Sequence, residues 1–258
     1  MTSRNIYLNG DVALARQRGY DIVQPKYDGW WCKAVCKPIV TEFYSETGRL
    51  FGDCVPTLPG CVLVGEFMRG TQWAQNSERK GKYYIYDLWA IYDEPMTEES
   101  YKTRYQLLRK LHLPPFFHLV PCHNIADFDT VWDYYVEQNG YEGVVFRKST
   151  GRLDEAIIRH KKTVTVDGTV IALHEGNGKH AGRLGALQVV LSNGVQVRVG
   201  GGFNDAERIA IWSEPMKYVG RVCEIEGYTV FDSGSVRHPN FLRWRDDKLS
   251  TPSSEPNE

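Results

Sequence analysis

Charge of one sign is missing from this 258-residue chain: 31 Lys and Arg face 32 Asp and Glu, a net charge of −1. That excludes a basic coat that grips nucleic acid indiscriminately. It permits a local basic groove, because steering depends on where charges sit. No apolar run approaches the roughly 20 residues that span a bilayer, so no membrane segment is expected. The start, Met1 to Tyr7, lacks the apolar core of a secretory signal. The six cysteines (Cys32, Cys36, Cys54, Cys61, Cys122 and Cys223) include no Cys-x-x-Cys pair. Reduced thiols and a cytoplasmic location are expected, not a disulfide framework. Cys122–His123 has no second half at zinc spacing. No repeat of 20–50 residues is visible, which argues against a solenoid.

What is present reads as strands first. Residues 22–24, 30–35, 39–44, 61–67 and 83–91 are short β-branched or aromatic runs bounded by Pro, Gly and Asp. Two helices follow. Residues 98–111 place Tyr101, Tyr105, Leu108 and Leu111 on one face, with Thr97 as N-cap. Residues 127–138 place Phe128, Val131, Trp132 and Tyr135 on one face. Strands resume at 143–146 and 157–160. A boundary is expected near Asp167–Gly168. Beyond it, runs at 170–174, 186–191, 195–199 and 221–230 read as strands, and Asn204 with Glu207 caps a helix at 205–213. Short strands with one small helix and frequent glycines fit a small barrel of the OB type. Residues 250–258 hold Pro, Ser and Glu without an apolar anchor and are expected to be a disordered tail.

The chemistry concentrates in Gln24-Pro25-Lys26-Tyr27-Asp28-Gly29. A turn between two β-prone runs would aim the Lys26 amine into a concave face. Asp28 lies within reach, and Gly29 permits close approach. Four segments follow in order: Leu63-Val64-Gly65-Glu66-Phe67, Tyr84-Ile85-Tyr86-Asp87-Leu88, Glu142-Gly143-Val144-Val145-Phe146-Arg147-Lys148 and Ile158-Arg159-His160-Lys161. This series resembles the covalent nucleotidyltransferase superfamily of ATP-dependent DNA ligases, RNA ligases and mRNA capping enzymes. The later segments Gly182 to Leu187, Val199 to Phe203 and Gly234 to Lys248 are similar to the OB domain of minimal bacterial and phage-type ATP-dependent DNA ligases. The resemblance covers about residues 21–248.

It implies an α+β architecture: an adenylation (nucleotidyltransferase) domain at 1–167, of antiparallel sheets with flanking helices (ATP-grasp-like), then an OB-fold β-barrel at 168–249. It implies an enzyme that seals nicks in duplex DNA through a lysyl-AMP and a DNA-adenylate, with ATP and Mg²⁺ (or Mn²⁺), acting as a monomer. Lys26 is the implied nucleophile, with Asp28 and Lys161 as catalytic partners. Gln24 would read the adenine edge, Tyr86 would stack on adenine, and Glu66 would bond the ribose. Glu142, with Glu66, would face the metal. Arg159 and Lys161 would hold the α-phosphate, and Arg245 and Lys248 the pyrophosphate. Arg49, Lys148, Lys162 and Arg183 are candidates for phosphates of DNA.

Some requirements follow from chemistry alone. A free lysine is only about 0.1% neutral near physiological pH, a cost of roughly 4 kcal/mol for attack as an amine. Burial and nearby cations such as Arg159 and Lys161 would lower that cost. Those two residues should face the same way, because side chains alternate along a strand. The sequence also departs from the family: Trp31 and Glu46 stand where many members carry Arg. An RNA ligase or a capping-type nucleotidyltransferase uses the same lysine chemistry and is the alternative reading.

Overall fold

The computed structural model describes residues 7–54, 57–68, 81–228, 230–231 and 233–248. The chain divides into two units, Met1–Lys161 and Lys162–Glu258. Both are mostly sheet with a few short helices, an α+β arrangement. The expected tail at 250–258 lies outside the described residues.

The first unit holds two sheets. One has seven strands. Its main path runs Leu50–Cys54, Thr41–Tyr44, Trp30–Cys36, Val62–Phe67, Tyr83–Ile91 and Glu94–Pro95, and Phe117–Leu119 lies parallel to Tyr83–Ile91. Alternation along Trp30–Cys36 buries Cys32, Ala34 and Cys36. These join Phe43, Leu63, Tyr83, Ile85 and Leu88 in an apolar core completed by Leu108 of the helix Tyr101–Leu108. The other sheet has five strands in the order Tyr7–Asn9, Ile157–Lys161, Gly143–Arg147, Ile22–Lys26 and His123–Asn124. One face supplies Val23, Val144, Phe146 and Ile158 to a second core, packed with Ala15 of the helix Val12–Gln17 and with Phe128 and Val131. The alternate residues Gln24, Lys26, Val145, Arg147 and Arg159 are left for the opposite face.

Both predicted helices change in detail. The first spans Tyr101–Leu108, and its N-cap is Ser100, not Thr97: the Ser100 hydroxyl accepts from the Thr103 amide. Its buried face includes Arg104 beside Tyr101 and Leu108. The second is a 3₁₀ turn at Ile125–Asp127, an α-helix at Phe128–Trp132 and a π-helical turn at Asp133–Gln138. Side-chain bonds spaced five residues apart match that wider winding. Trp132 donates to Glu137 at 2.9 Å, and Gln138 donates to Asp133 at 2.7 Å.

The second unit is a five-stranded antiparallel sheet in the order Gln196–Val199, Leu184–Leu191, Val164–Glu175, Val222–Gly227 and Asn240–Trp244. A single bridge joins Gly201 to Asn240. The helix Asp205–Ser213 forms where expected, with the reciprocal Asn204–Glu207 cap at 2.9 and 2.7 Å. The boundary expected at Asp167–Gly168 is corrected. Gly168 lies inside Val164–Glu175, opposite Leu191 on one side and Cys223 on the other. A residue paired on both sides is held inside its sheet and does not lie between two units. The division falls instead after Lys161.

Candidate active site

A cavity of about 240 Å³ lies in the first unit. The five-stranded sheet supplies Gln24, Lys26, Val145, Arg147, Ile157 and Arg159. The seven-stranded sheet supplies Trp31, Glu66 and Tyr86. Arg159 lines the cavity, Lys161 does not, and His160 packs on Trp132 with ring centroids 4.7 Å apart.

Lys26 ends its strand opposite Gly143, and Gly143 also lies opposite Lys161. Only glycine fits there, since an added Cβ would lie 2.1 Å from the His160 carbonyl oxygen. This close approach brings three side chains together. The Glu142 carboxylate accepts from the Lys26 amine and forms an ion pair with Lys161. Burial alone would raise the Glu142 pKa, but Lys26 and Lys161 outweigh it and hold the carboxyl below its ordinary value. For Lys26, burial would lower the pKa, but Glu142 and Glu66 outweigh it and raise the pKa above the usual lysine value. This corrects the expectation of a depressed amine. The cations around Lys26 do not act alone, because the Glu142 carboxylate sits between Lys26 and Lys161.

Glu66 accepts from the Gly29 amide at 3.1 Å. A Cβ at Gly29 would lie 2.8 Å from the Glu66 side chain, so this contact also demands glycine. Burial pushes the Glu66 carboxyl up to about 7, with Lys26 opposing. Asp28 is half-buried and is not among the residues lining the cavity.

Gln24 is fully buried and lines the cavity, yet neither its amide nitrogen nor its amide oxygen has a hydrogen-bond partner. A buried amide of this kind costs on the order of 1–3 kcal/mol unless something pairs with it. Tyr86 lines the cavity, whereas Tyr84 is stacked between Tyr27, at 4.1 Å, and His118, at 5.3 Å. That favours Tyr86 over Tyr84 for a ligand ring. Arg159 donates to Asn9 at 2.6 Å and lies 5.7 Å from the Tyr7 ring.

Tyr7 and Arg147 are among the lining residues to which sequence reasoning gave no role. Arg147 was legible by alternation, two residues beyond Val145. Trp31 and Glu46, the departures from the family pattern, both line the cavity. Where the resemblance implied cations, an indole and a carboxylate stand.

The remaining predicted residues lie elsewhere. Arg49 is exposed in the turn between Thr41–Tyr44 and Leu50–Cys54. Lys148 pairs with Glu155 at 2.9 Å. Lys162 begins the second unit. Arg183 pairs with Asp205 at 3.1 Å, also in the second unit. Arg245 donates to Asp167 at 3.0 and 3.2 Å and to Asp247 at 2.9 and 2.8 Å, and Lys248 reaches Asp167 at 2.5 Å. Among the described residues no three His, Cys, Asp or Glu gather as a metal cluster. All six cysteines are free thiols. No described helix is long and apolar enough to cross a membrane.

Comparison with known proteins adds to this geometry. Residues 175–245, which lie in the second unit, match the family model of the DNA ligase OB-like domain. No curated protein matches the chain. Solved structures share its fold. One comes from a structure–function study of Lig E DNA ligases, described as DNA binding with a minimal scaffold. It is 21% identical with a TM-score of 0.73, over 94% of this chain and 99% of that one. Another, named Pmar-Lig_Pre, is 20% identical with a TM-score of 0.74, over 94% of this chain and 67% of that one. The ligase domain of LigD from M. tuberculosis is 15% identical with a TM-score of 0.51, over 96% of each chain. The chain has the fold of these ligases.

Proposed function

We propose that the protein is an ATP-dependent DNA ligase that seals nicks in duplex DNA as a monomer. The observation that carries this reading is the meeting of Lys26, Glu142 and Lys161 beside a cavity whose floor is an unsatisfied Gln24 amide. Adenine fits there, because its edge offers both a donor and an acceptor to that amide. The match of residues 175–245 to a DNA ligase OB-like domain supports DNA over RNA or a cap as the substrate. The five-stranded sheet and its Gly201–Asn240 bridge support a closed OB barrel. The two sheets of the first unit support an ATP-grasp-like nucleotidyltransferase domain. Six free thiols support a reducing compartment such as the cytoplasm.

The Lys26 amine attacks the α-phosphorus of ATP, a P–N bond forms, and the bond to pyrophosphate breaks. AMP then passes to the 5′-phosphate at the nick, and the 3′-hydroxyl displaces it. In the ligand-free protein Lys26 is protonated and held by Glu142. It must lose both the proton and that partner before it can attack. Lys161 and Arg159 are the cations that offset the phosphate charge. Glu142 and Glu66 would hold Mg²⁺, or Mn²⁺, which when bound neutralises charge on the phosphates. Two carboxylates suit this ion, because phosphate oxygens and water complete its shell. Arg245 and Lys248 would orient the pyrophosphate.

The test uses α-labelled ATP and Mg²⁺, followed by nicked duplex DNA. Covalent label that Lys26→Ala abolishes, chased into a sealed strand, is the expected result. Label that persists in Lys26→Ala would sink the nucleophile assignment. Label without sealing of DNA would favour the RNA ligase reading.

A further inference from the structure

We propose that Arg147 is a positioning residue that fixes the plane of the Tyr86 ring for the nucleobase. The inference rests on the nucleotide site proposed above and deepens it.

Arg147 ends the strand Gly143–Arg147, on the same face as Val145, and both line the cavity. Only 7% of Arg147 is exposed. Its guanidinium carbon lies 5.1 Å from the centre of the Tyr86 ring and 4.7 Å from that of Tyr101. The charged group is thus packed against two aromatic rings, one of which lines the cavity. Nη1 donates to Asp87 at 3.2 Å, while the buried Nε has no partner. A buried Nε without a partner leaves part of the guanidinium to be stabilised by something other than hydrogen bonds. The aromatic faces supply the remaining stabilisation, and in return the cation holds the rings in place.

The surroundings fix Arg147 from behind. Asp87 receives a two-pronged contact from Arg104, at 2.7 and 3.0 Å. Arg104 also donates to the Glu99 and Gly151 carbonyls at 2.6 and 3.3 Å. The Tyr101 hydroxyl donates to the Tyr86 carbonyl at 3.0 Å. Tyr86 is therefore held through its backbone by Tyr101 and through its ring by Arg147. Two guanidiniums share one carboxylate, and Arg104 keeps Asp87 paired if Arg147 is lost. A change at Arg147 should release the ring without releasing the sheet.

The experiment measures AMP affinity by calorimetry and the ATP dependence of Lys26 adenylation in the full chain. Arg147→Met, Arg147→Lys, Tyr86→Ala and the double variant Tyr86→Ala with Arg147→Met are compared. Arg147→Met should raise the KM for ATP and the Kd for AMP roughly tenfold, with the saturating rate within about twofold. Arg147→Lys keeps the charge but not the planar stack and should raise both about threefold. In the Tyr86→Ala background, Arg147→Met should change KM and Kd by less than about twofold. Additive effects in the double variant overturn the proposal, as does a lower saturating rate at unchanged KM. If Arg147→Met does not fold, unchanged affinity in Arg147→Lys overturns it. An unaltered protein that binds AMP but takes no label overturns the ligase reading instead, and the calorimetric comparison still decides the role of Arg147.

Discussion

Glu142 lies between Lys26 and Lys161, and Asp87 lies between Arg104 and Arg147. Each carboxylate is shared by two cations, but the two centres are built for different ends. At Glu142 both lysine side chains keep 19% of their surface exposed. Lysine is a point charge on a flexible stem, so either amine can leave and be hydrated or take a phosphate. At Asp87 the three side chains are 1%, 3% and 8% exposed, and Arg104 grips with two prongs. Arg104 and Asp87 cannot part without stranding a buried charge. The first arrangement suits a group that must change partners during a reaction. The second suits a wall that must not move while it does.

The largest expected effect tests the mobile centre. Lys26→Ala should reduce covalent labelling by at least about a thousandfold if Lys26 is the nucleophile proposed above. Its melting temperature should stay within a few degrees, because Lys161 still pairs with Glu142. A labelling gel and a melting curve on one preparation check both halves. A large loss of stability would mean that the lysine pair is structural after all.

Asp87→Asn tests the fixed centre. It leaves two buried guanidiniums without a carboxylate, and such a break typically costs about 3–5 kcal/mol. Glu142→Gln should cost less than Asp87→Asn, because the lysine side chains keep 19% of their surface exposed against 1% and 8% for the two arginines. Urea unfolding of both variants measures the difference. Equal losses would erase the distinction between the two centres.

These centres were not equally legible. Lys26, Glu142 and Lys161 stand in segments whose order and residue types point to one chemistry, and their meeting follows from strand register around Gly143. In the Asp87–Arg104–Arg147 cluster, Asp87 and Arg147 stand in those same segments, but Arg104 left no such trace. An arginine on a helix reads as a solvated position, and only packing reveals that Arg104 turns inward. The raised pKa of Lys26 was hidden for a similar reason. Its sign depends on whether Glu142 or a cation lies nearer, which is a matter of distances. In the fold, central strands were read within about two residues at most ends, because apolar alternation marks them. Short edge strands such as Tyr7–Asn9 and Phe117–Leu119 carry too few residues for a pattern. The strand Val164–Glu175 was cut in the sequence reading because Asp167–Gly168 looks like a turn. Pairing on both sides overrides that local preference.

Glu66 gives a smaller effect, readable by pH. Its carboxyl has an ordinary value of 4.5 and is pushed up to about 7 in the folded, metal-free protein, chiefly by burial. The folded state therefore binds a proton more tightly than the unfolded state does. Stability from this group falls as pH rises through the window from about 4.5 to 7. Glu66→Gln removes the buried charge. It should stabilise the metal-free protein by about 1–3 kcal/mol at pH 8 and change it little at pH 5. Urea unfolding at the two pH values, with chelator present, checks the sign. Glu142 predicts the opposite direction, because its carboxyl is held below its ordinary value.

The smallest effect belongs to a residue outside both centres. Arg49 is exposed in a hairpin turn and does not line the cavity. It is one of the candidates for DNA phosphates, three residues beyond Glu46, which occupies a position where many family members carry Arg. Arg49 is exposed in its turn, on the seven-stranded sheet away from the strands that carry Lys26, Glu142 and Lys161, so Arg49→Ala should leave Lys26 adenylation unchanged. If it touches a DNA phosphate, one counterion is released at that contact. Affinity for nicked duplex should then fall about two- to fivefold, and the slope of log affinity against log salt should lessen by about 1. A salt titration of nicked-DNA binding separates the cases. An unchanged slope removes Arg49 from the DNA face, and a slower adenylation step places it nearer Lys26 than the cavity geometry allows.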